Sequence, residues 1–246
     1  MGDRKCLNER QRRVMAVFKM KRARRRPEQL ELRRRSHGGR RAGAGRPKTG
    51  TDRMPHVRRE ALASRFPVHI TLKIREDAPR LRSPESRRVL IECLYAGCER
   101  LGVRVVEYSI QSNHIHLICE ALSAQALTRG VMGLEIRMAR ALNRAHGRKG
   151  PIWADRYHAS ILRTPKQVRN CLVYVLGNFK HHRARYRGAM LLDLSSSAPW
   201  FDGYREKLIP VTEGADVPTA KARTWLLTVG WRKRGLISVG EDPKGD

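Results

Sequence analysis

Two histidines separated by one residue, His114-Ile115-His116, open a strand-like run that ends at Glu120. Alternate residues of a strand share a face, so His114 and His116 project together while Ile115, Leu117 and Cys119 point the other way. Two imidazoles side by side can supply two ligands to a divalent ion. Paired surface histidines are common, so the pattern needs support from elsewhere in the chain. It comes from a segment whose residues Val168, Cys171, Leu172, Val175, Leu176 and Phe179 fall on one side of a helix. Tyr174 and Asn178, four residues apart, stack at the edge of that face, and His181 and Arg185 continue the stripe. A tyrosine half-sheltered beside a sheet is placed to act as a nucleophile near a metal site. The alternative is a tyrosine at a core boundary with an incidental polar neighbour.

The elements that must position these residues follow from periodicity and end signals. Val68 to Ile74 alternates and predicts a first strand. Ser83-Pro84 opens a helix whose apolar residues Val89, Leu90, Cys93, Leu94, Gly97 and Leu101 keep helical spacing up to Gly102. Val103 to Ile110 reads as a second strand, and His114 to Glu120 as a third after the turn Gln111-Ser112-Asn113. Ser123 caps a long second helix with Leu127, Val131, Leu134, Met138 and Leu142 on one stripe. Ile152 to Leu162 supplies a fourth strand, and the capping box Thr164-Pro165-Lys166-Gln167 starts a third helix running to about Arg185. The order is β-α-β-β-α-β followed by an extra helix. That is an α+β, ferredoxin-like (split βαβ) antiparallel sheet with helices on one face. Such a fold decides nothing about function.

Charge narrows the partners. The 246 residues include 52 Lys+Arg and 23 Asp+Glu, a formal net charge of +29. Such self-repulsion brings no benefit to an ordinary metabolic enzyme, and nucleic acid is the default partner. Residues 1–65 alone hold 22 basic and 6 acidic residues with few large apolar ones. They read as a disordered basic arm, with at most a short helix near Val14 to Met20. Within the arm, Gly45-Arg46-Pro47-Lys48 resembles the core of an AT-hook, in which Arg46 and Lys48 would enter a narrow minor groove. A flexible linker touching phosphates without preference is the competing reading. Residues 66–190 read as the ordered domain, a candidate catalytic domain, and 191–246 as a basic extension, where Trp225 suggests a packing helix and Arg232, Lys233 and Arg234 suggest contacts to DNA. No apolar run is long enough to span a membrane. Five cysteines, Cys6, Cys93, Cys98, Cys119 and Cys171, make no CxxC pair and read as buried thiols of a reducing cytoplasm.

Together the residues resemble a known family. His-hydrophobic-His within Ser112-Asn113-His114-Ile115-His116-Leu117 resembles the HUH signature of single-strand DNA endonucleases. Tyr174-x-x-x-Asn178 on a later helix resembles the single-tyrosine transposase branch, and the REP-associated tyrosine transposases in particular. The likeness runs from about Val68 to Arg185. It includes the approach Gly150-Pro151-Ile152-Trp153, and the segment Ser195-Ser196-Ser197-Ala198 is also similar to this group. The resemblance implies that His114, His116 and Asn178 bind Mg²⁺ or Mn²⁺ and that Tyr174 attacks a phosphodiester of single-stranded DNA. A 5′-phosphotyrosine and a free 3′-OH would result. It further implies a bacterial, nucleoid-associated enzyme of DNA transposition and recombination at repeat or hairpin sequences, acting as a monomer or homodimer. Nonspecific duplex contacts would come through the arm.

Residue reading leaves some positions open. No carboxylate stands out as a general base: Glu120 and Asp155 are near in sequence only and read as surface or sheet-edge residues. His69 on the first strand could approach from a neighbouring strand, and His158 on the fourth is a weaker candidate. A second function, a catalytically inactive DNA-binding protein derived from a transposase, competes with the enzyme. RNA binding ranks lower because the strands carry no RNP-like aromatic pair.

Overall fold

A computed structural model describes residues 60–178, 192–206 and 217–241. The short helix near Val14 to Met20, the AT-hook-like segment with Arg46 and Lys48, and the continuation of the third helix through Phe179, His181 and Arg185 lie outside the described residues.

Among the described residues, five strands and three α-helices occur in the order β1 (Val68–Lys73), α1 (Pro84–Tyr95), β2 (Glu99–Arg100), β3 (Val103–Ile110), β4 (His114–Ala121), α2 (Ala124–Ala145), β5 (His158–Ile161) and α3 (Pro165–Gly177). The sheet runs β2-β3-β4-β1-β5 with every pair antiparallel. This is the split βαβ order expected from the sequence, with the two-residue β2 added at one edge.

Local chemistry explains the helix starts. Ser83 accepts from the Ser86 amide with Pro84 at the first helical position. Ser123 accepts from the Ala126 amide, and Thr164 with Gln167 completes a reciprocal capping box. Helix α1 ends earlier than its apolar spacing implies, at Tyr95 instead of Gly102. Leu101 and Gly102 both take positive φ, 54° and 76°, and join β2 to β3 as a two-residue hairpin. That hairpin draws residues 99–100 into the sheet, so Leu101 is exposed instead of helical. The fourth predicted strand is also shorter than Ile152 to Leu162. Only His158–Ile161 pairs with β1, and Ile74 bridges to Trp153 upstream. The Trp153 indole donates to the Glu135 carbonyl at 3.0 Å, which pins this approach to α2.

Each face of the sheet has its own apolar cluster. Val68, Ile70, Leu72, Ile115, Leu117 and Cys119 meet Leu90, Leu94, Val131 and Met138 of α1 and α2. Gly130 admits β3 closely, since a Cβ there would lie 2.6 Å from Val103 Cγ2. A register shift between Val105 and Glu107 lets Val103, Val105, Tyr108 and Ile110 all join this cluster. On the opposite face, Val106 and Ile118 meet Val168, Leu172, Val175 and Leu176 of α3, together with Leu226, Leu227 and Trp231.

Segments 192–206 and 217–241 therefore pack on the α3 side. The Ile110 amide donates to the Ser195 carbonyl at 2.8 Å and the Ser197 amide to the Tyr108 carbonyl at 3.0 Å, covering the open edge of β3. Asp193, 2% exposed, takes a bidentate pair from Arg82 at 2.7 and 2.8 Å. The helix suggested at Trp225 is a π turn, Leu226–Gly230, running into a 3₁₀ turn, Trp231–Arg234. Trp231 is the packed indole, 1% exposed, whereas Trp225 is half exposed. Gly230 lies directly under the Trp225 ring, so that indole covers backbone and not the core.

Candidate active site

Register decides what meets His114 and His116. Antiparallel pairing sets Lys73 opposite His114 and Thr71 opposite His116, and on its other side Thr71 stands opposite His158. Directly opposed residues share a face. His69, Thr71, Lys73, His114, His116 and His158 thus all lie on the face that α3 covers, at the end of α3 where Tyr174 emerges.

The imidazoles converge. His114 Nε2 and His116 Nε2 are 2.9 Å apart, and the Tyr174 hydroxyl is 3.4 Å from His116 Nε2. His69 Nε2 and Thr71 Oγ1 approach the other nitrogen of the same ring, His116 Nδ1, at 3.1 and 3.2 Å. His114 Nδ1 contacts Asn113 Oδ1 at 2.7 Å. The Tyr174 ring meets that of His116 edge-on with centroids 5.0 Å apart. Asn178, buried just past the end of α3, hydrogen-bonds Tyr174. The helical spacing of Tyr174 and Asn178 therefore brings the two side chains together, and Tyr174 meets the histidines.

Burial sets the charge states. Desolvation, then the neighbouring His114 and His69, bring His116 down to about 3. Desolvation and then His158 bring His69 down to about 4. Both rings are neutral at pH 7, as metal ligands and their supports must be. Burial pushes the Tyr174 phenol above its usual value, with Cys171 adding to the rise and the Asn178 bond opposing it. Unassisted, this hydroxyl is a poor nucleophile at neutral pH.

The donor set suits a divalent cation of intermediate softness. His114 Nε2 and His116 Nε2, 2.9 Å apart, are near enough that one cation could be held by both imidazoles. Among the described residues no cluster of three or more His, Cys, Asp and Glu side chains can hold a metal. A cation here would have two protein nitrogens and would take further ligands from an amide oxygen, water or substrate oxygens. Two imidazoles suit Mn²⁺ better than Mg²⁺, which prefers an all-oxygen shell.

The remaining candidates are placed as follows. His69 reaches the site, but at the Nδ1 edge of His116 and so away from the converging nitrogens. His158 is exposed on β5. Glu120 is not a surface residue: it is 1% exposed and accepts from Arg104 and from the Arg223 and Thr224 amides, tying the last segment to the sheet. Asp155 accepts from the Arg156 amide. Arg232 pairs with Asp202 at 2.6 Å and lies over Trp231, while Lys233 lies over Trp225 and Arg234 is exposed. Thr71 and Asn113 are the site residues that sequence reasoning passed over. The parity of His69-Ile70-Thr71 was visible, but the strand beside it was not.

Residues 63–177 match the family described as "Transposase IS200 like". No curated protein matches the chain. Similar solved structures include a REP-associated tyrosine transposase bound to a REP hairpin, 16% identical over 52% of this chain and 74% of that one, with a TM-score of 0.43. A transposase-like protein of Deinococcus radiodurans R1 is 15% identical over 55% of this chain and 100% of that one, with a TM-score of 0.35. The segment that matches the IS200-like transposase model carries His114, His116 and Tyr174.

Proposed function

We propose that the protein nicks and rejoins single-stranded DNA at a hairpin or repeat, with Tyr174 as the nucleophile. The observation that carries this reading is the convergence of His114 Nε2 and His116 Nε2 beside the Tyr174 hydroxyl. His114 and His116, with the Asn178 amide, would hold Mg²⁺ or Mn²⁺, and the histidine pair favours Mn²⁺. When bound, such an ion supplies positive charge to the non-bridging phosphate oxygens and lowers the barrier to ionising the phenol.

Every other part of the step belongs to the chain. Asn178 orients the Tyr174 hydroxyl through their hydrogen bond. Tyr174 Oη attacks phosphorus, the bond from phosphorus to the 3′ oxygen breaks, and that oxygen leaves as a free 3′-OH. The 5′-phosphotyrosine keeps the bond energy, so a second 3′-OH can reverse the reaction and join strands without a nucleotide cofactor. Arg46 and Lys48 in the arm, His181 and Arg185 beyond Asn178, and Arg232, Lys233 and Arg234 would hold phosphates of the strand or flanking duplex.

The test incubates the protein with labelled single-stranded hairpin oligonucleotides, with and without Mn²⁺, and looks for a denaturation-resistant protein–DNA band. The expected result is a metal-dependent adduct that disappears in Tyr174→Phe while binding in native gels persists. Adducts that survive in Tyr174→Phe overturn the assignment of the nucleophile. A native-gel shift without any adduct establishes instead a non-catalytic repeat binder.

A further inference from the structure

His116 is 3% exposed and both its ring nitrogens are engaged, on opposite edges. A neutral imidazole carries one N–H, so each contact fixes the role of the other. His114 Nδ1 faces the side-chain amide oxygen of Asn113, Oδ1, at 2.7 Å and therefore carries the proton, which leaves His114 Nε2 bare. At 2.9 Å from that bare nitrogen, His116 Nε2 must hold its own proton and donate it as long as no cation lies between them. His116 Nδ1 is then bare and needs a donor. A cation between the two Nε2 atoms reverses the requirement: the His116 proton moves to Nδ1, which now needs an acceptor.

We propose that His69 and Thr71 are positioning residues that satisfy His116 Nδ1 in both tautomers, and so let its Nε2 pass between hydrogen bonding and holding a divalent cation. This rests on the reading of His114 and His116 as cation ligands. A hydroxyl can donate or accept by rotating, and a neutral imidazole can do either by shifting its own proton. Arg or Lys at these positions could only donate, and an ionised carboxylate could only accept. Thr71 stands opposite His116 in the β1–β4 register, and His69 is on the same strand and face. Both approach the Nδ1 edge, so neither competes for the cation.

Mn²⁺ binding to the full chain without DNA, followed by electron paramagnetic resonance of the free ion, tests this. The variant carrying His69→Ala and Thr71→Val should bind Mn²⁺ about 10- to 100-fold more weakly, whereas Thr71→Ser should stay within about threefold of wild type. Should the double variant melt early, Thr71→Val alone, which keeps the side-chain shape, should still weaken binding at least about threefold. Imidazole ¹⁵N spectra with diamagnetic Mg²⁺ give a second readout. The protonated nitrogen of His116 should change from Nε2 to Nδ1 in wild type and fail to do so in the double variant. Equal Mn²⁺ affinity in wild type and a folded double variant overturns the positioning role and leaves the cation reading standing. No Mn²⁺ uptake by wild type overturns both.

Discussion

The two faces of the sheet are built from different materials. The face under α1 and α2 is closed mainly by apolar side chains, with Tyr108 and Tyr157 among them, and Ser86, buried on that side, is matched by His146 at 2.8 Å. The face under α3 and the last segments buries Glu107, His116, Glu120, Asn178, Asp193 and Ser197. Burying polar groups lowers stability unless each finds a partner. Here the partners come from elements far apart in sequence: Ser197 for Glu107, Arg223 and Thr224 for Glu120, Arg82 for Asp193. One face is closed by apolar packing, and the other buries His116 and Asn178 near Tyr174 together with the polar groups that anchor the tail.

The sharpest break between the faces should come from His116→Ala. Removing one of the two converging nitrogens should lower adduct formation about 10³-fold, or about 4 kcal/mol in barrier, as read from single-turnover gels. The thermal midpoint should barely move, because the lost ring leaves polar neighbours that water can satisfy. A large drop in midpoint would mean that the ring is chiefly a packing element and would erase the distinction between the faces.

Leu90→Ala should do the reverse. Leu90 is fully buried on α1 within the apolar cluster, and its truncation should destabilise the fold by about 2–5 kcal/mol in urea melts. Adduct yield per folded molecule should be unchanged. A loss of yield beyond the unfolded fraction would show that the α1–α2 face also sets the geometry of the site.

This division also separates what could be read from sequence and what could not. The helix stripes, the Ser and Thr caps, the paired histidines and the Tyr174–Asn178 spacing are local, and each was visible because its cause lies within a few residues. Thr71 opposite His116 depends on which strand neighbours which, a consequence of the whole topology. The burial of Glu120 and Glu107 depends on a tail returning about a hundred residues later. Helix α1 stopped short for a similar reason. Its apolar spacing continued to Leu101, but pairing of residues 99–100 with β3 outweighed the local preference.

Glu107 makes the polar face sensitive to pH. Burial, opposed by its bond from Ser197 and reinforced by Asp202, raises the carboxyl from 4.5 to about 8. Between those values the folded chain keeps a proton that the unfolded chain has lost. The contribution of Glu107 to stability should therefore be greatest below pH 4.5, fall by up to about 1.4 kcal/mol per pH unit as pH climbs towards 8, and level off above it. Glu107→Gln keeps an acceptor for Ser197 without the charge. Midpoints of wild type minus variant, measured from pH 5 to 9, should show that slope. A flat difference would mean that the carboxyl is ionised in the fold as it is in the unfolded chain, with the Ser197 hydroxyl donating to a carboxylate.

The smallest effect should separate two neighbouring cations at the rim of the polar face. Arg232 is held by Asp202 and by stacking on the buried Trp231, so part of its charge is already spent within the fold. Lys233 is exposed over the half-exposed Trp225 ring, where an ammonium and an indole face offer a strand both a phosphate contact and a stacking platform. Lys233→Gln should leave the thermal midpoint within about 0.5 kcal/mol of wild type. The dependence of single-strand affinity on salt should become shallower by about 0.7 in the logarithmic slope, the release of one phosphate's counterions. Arg232→Gln should change that slope less and stability more. If the two variants behave alike, Asp202 does not hold Arg232 back from DNA, and the rim acts as one undivided cationic surface.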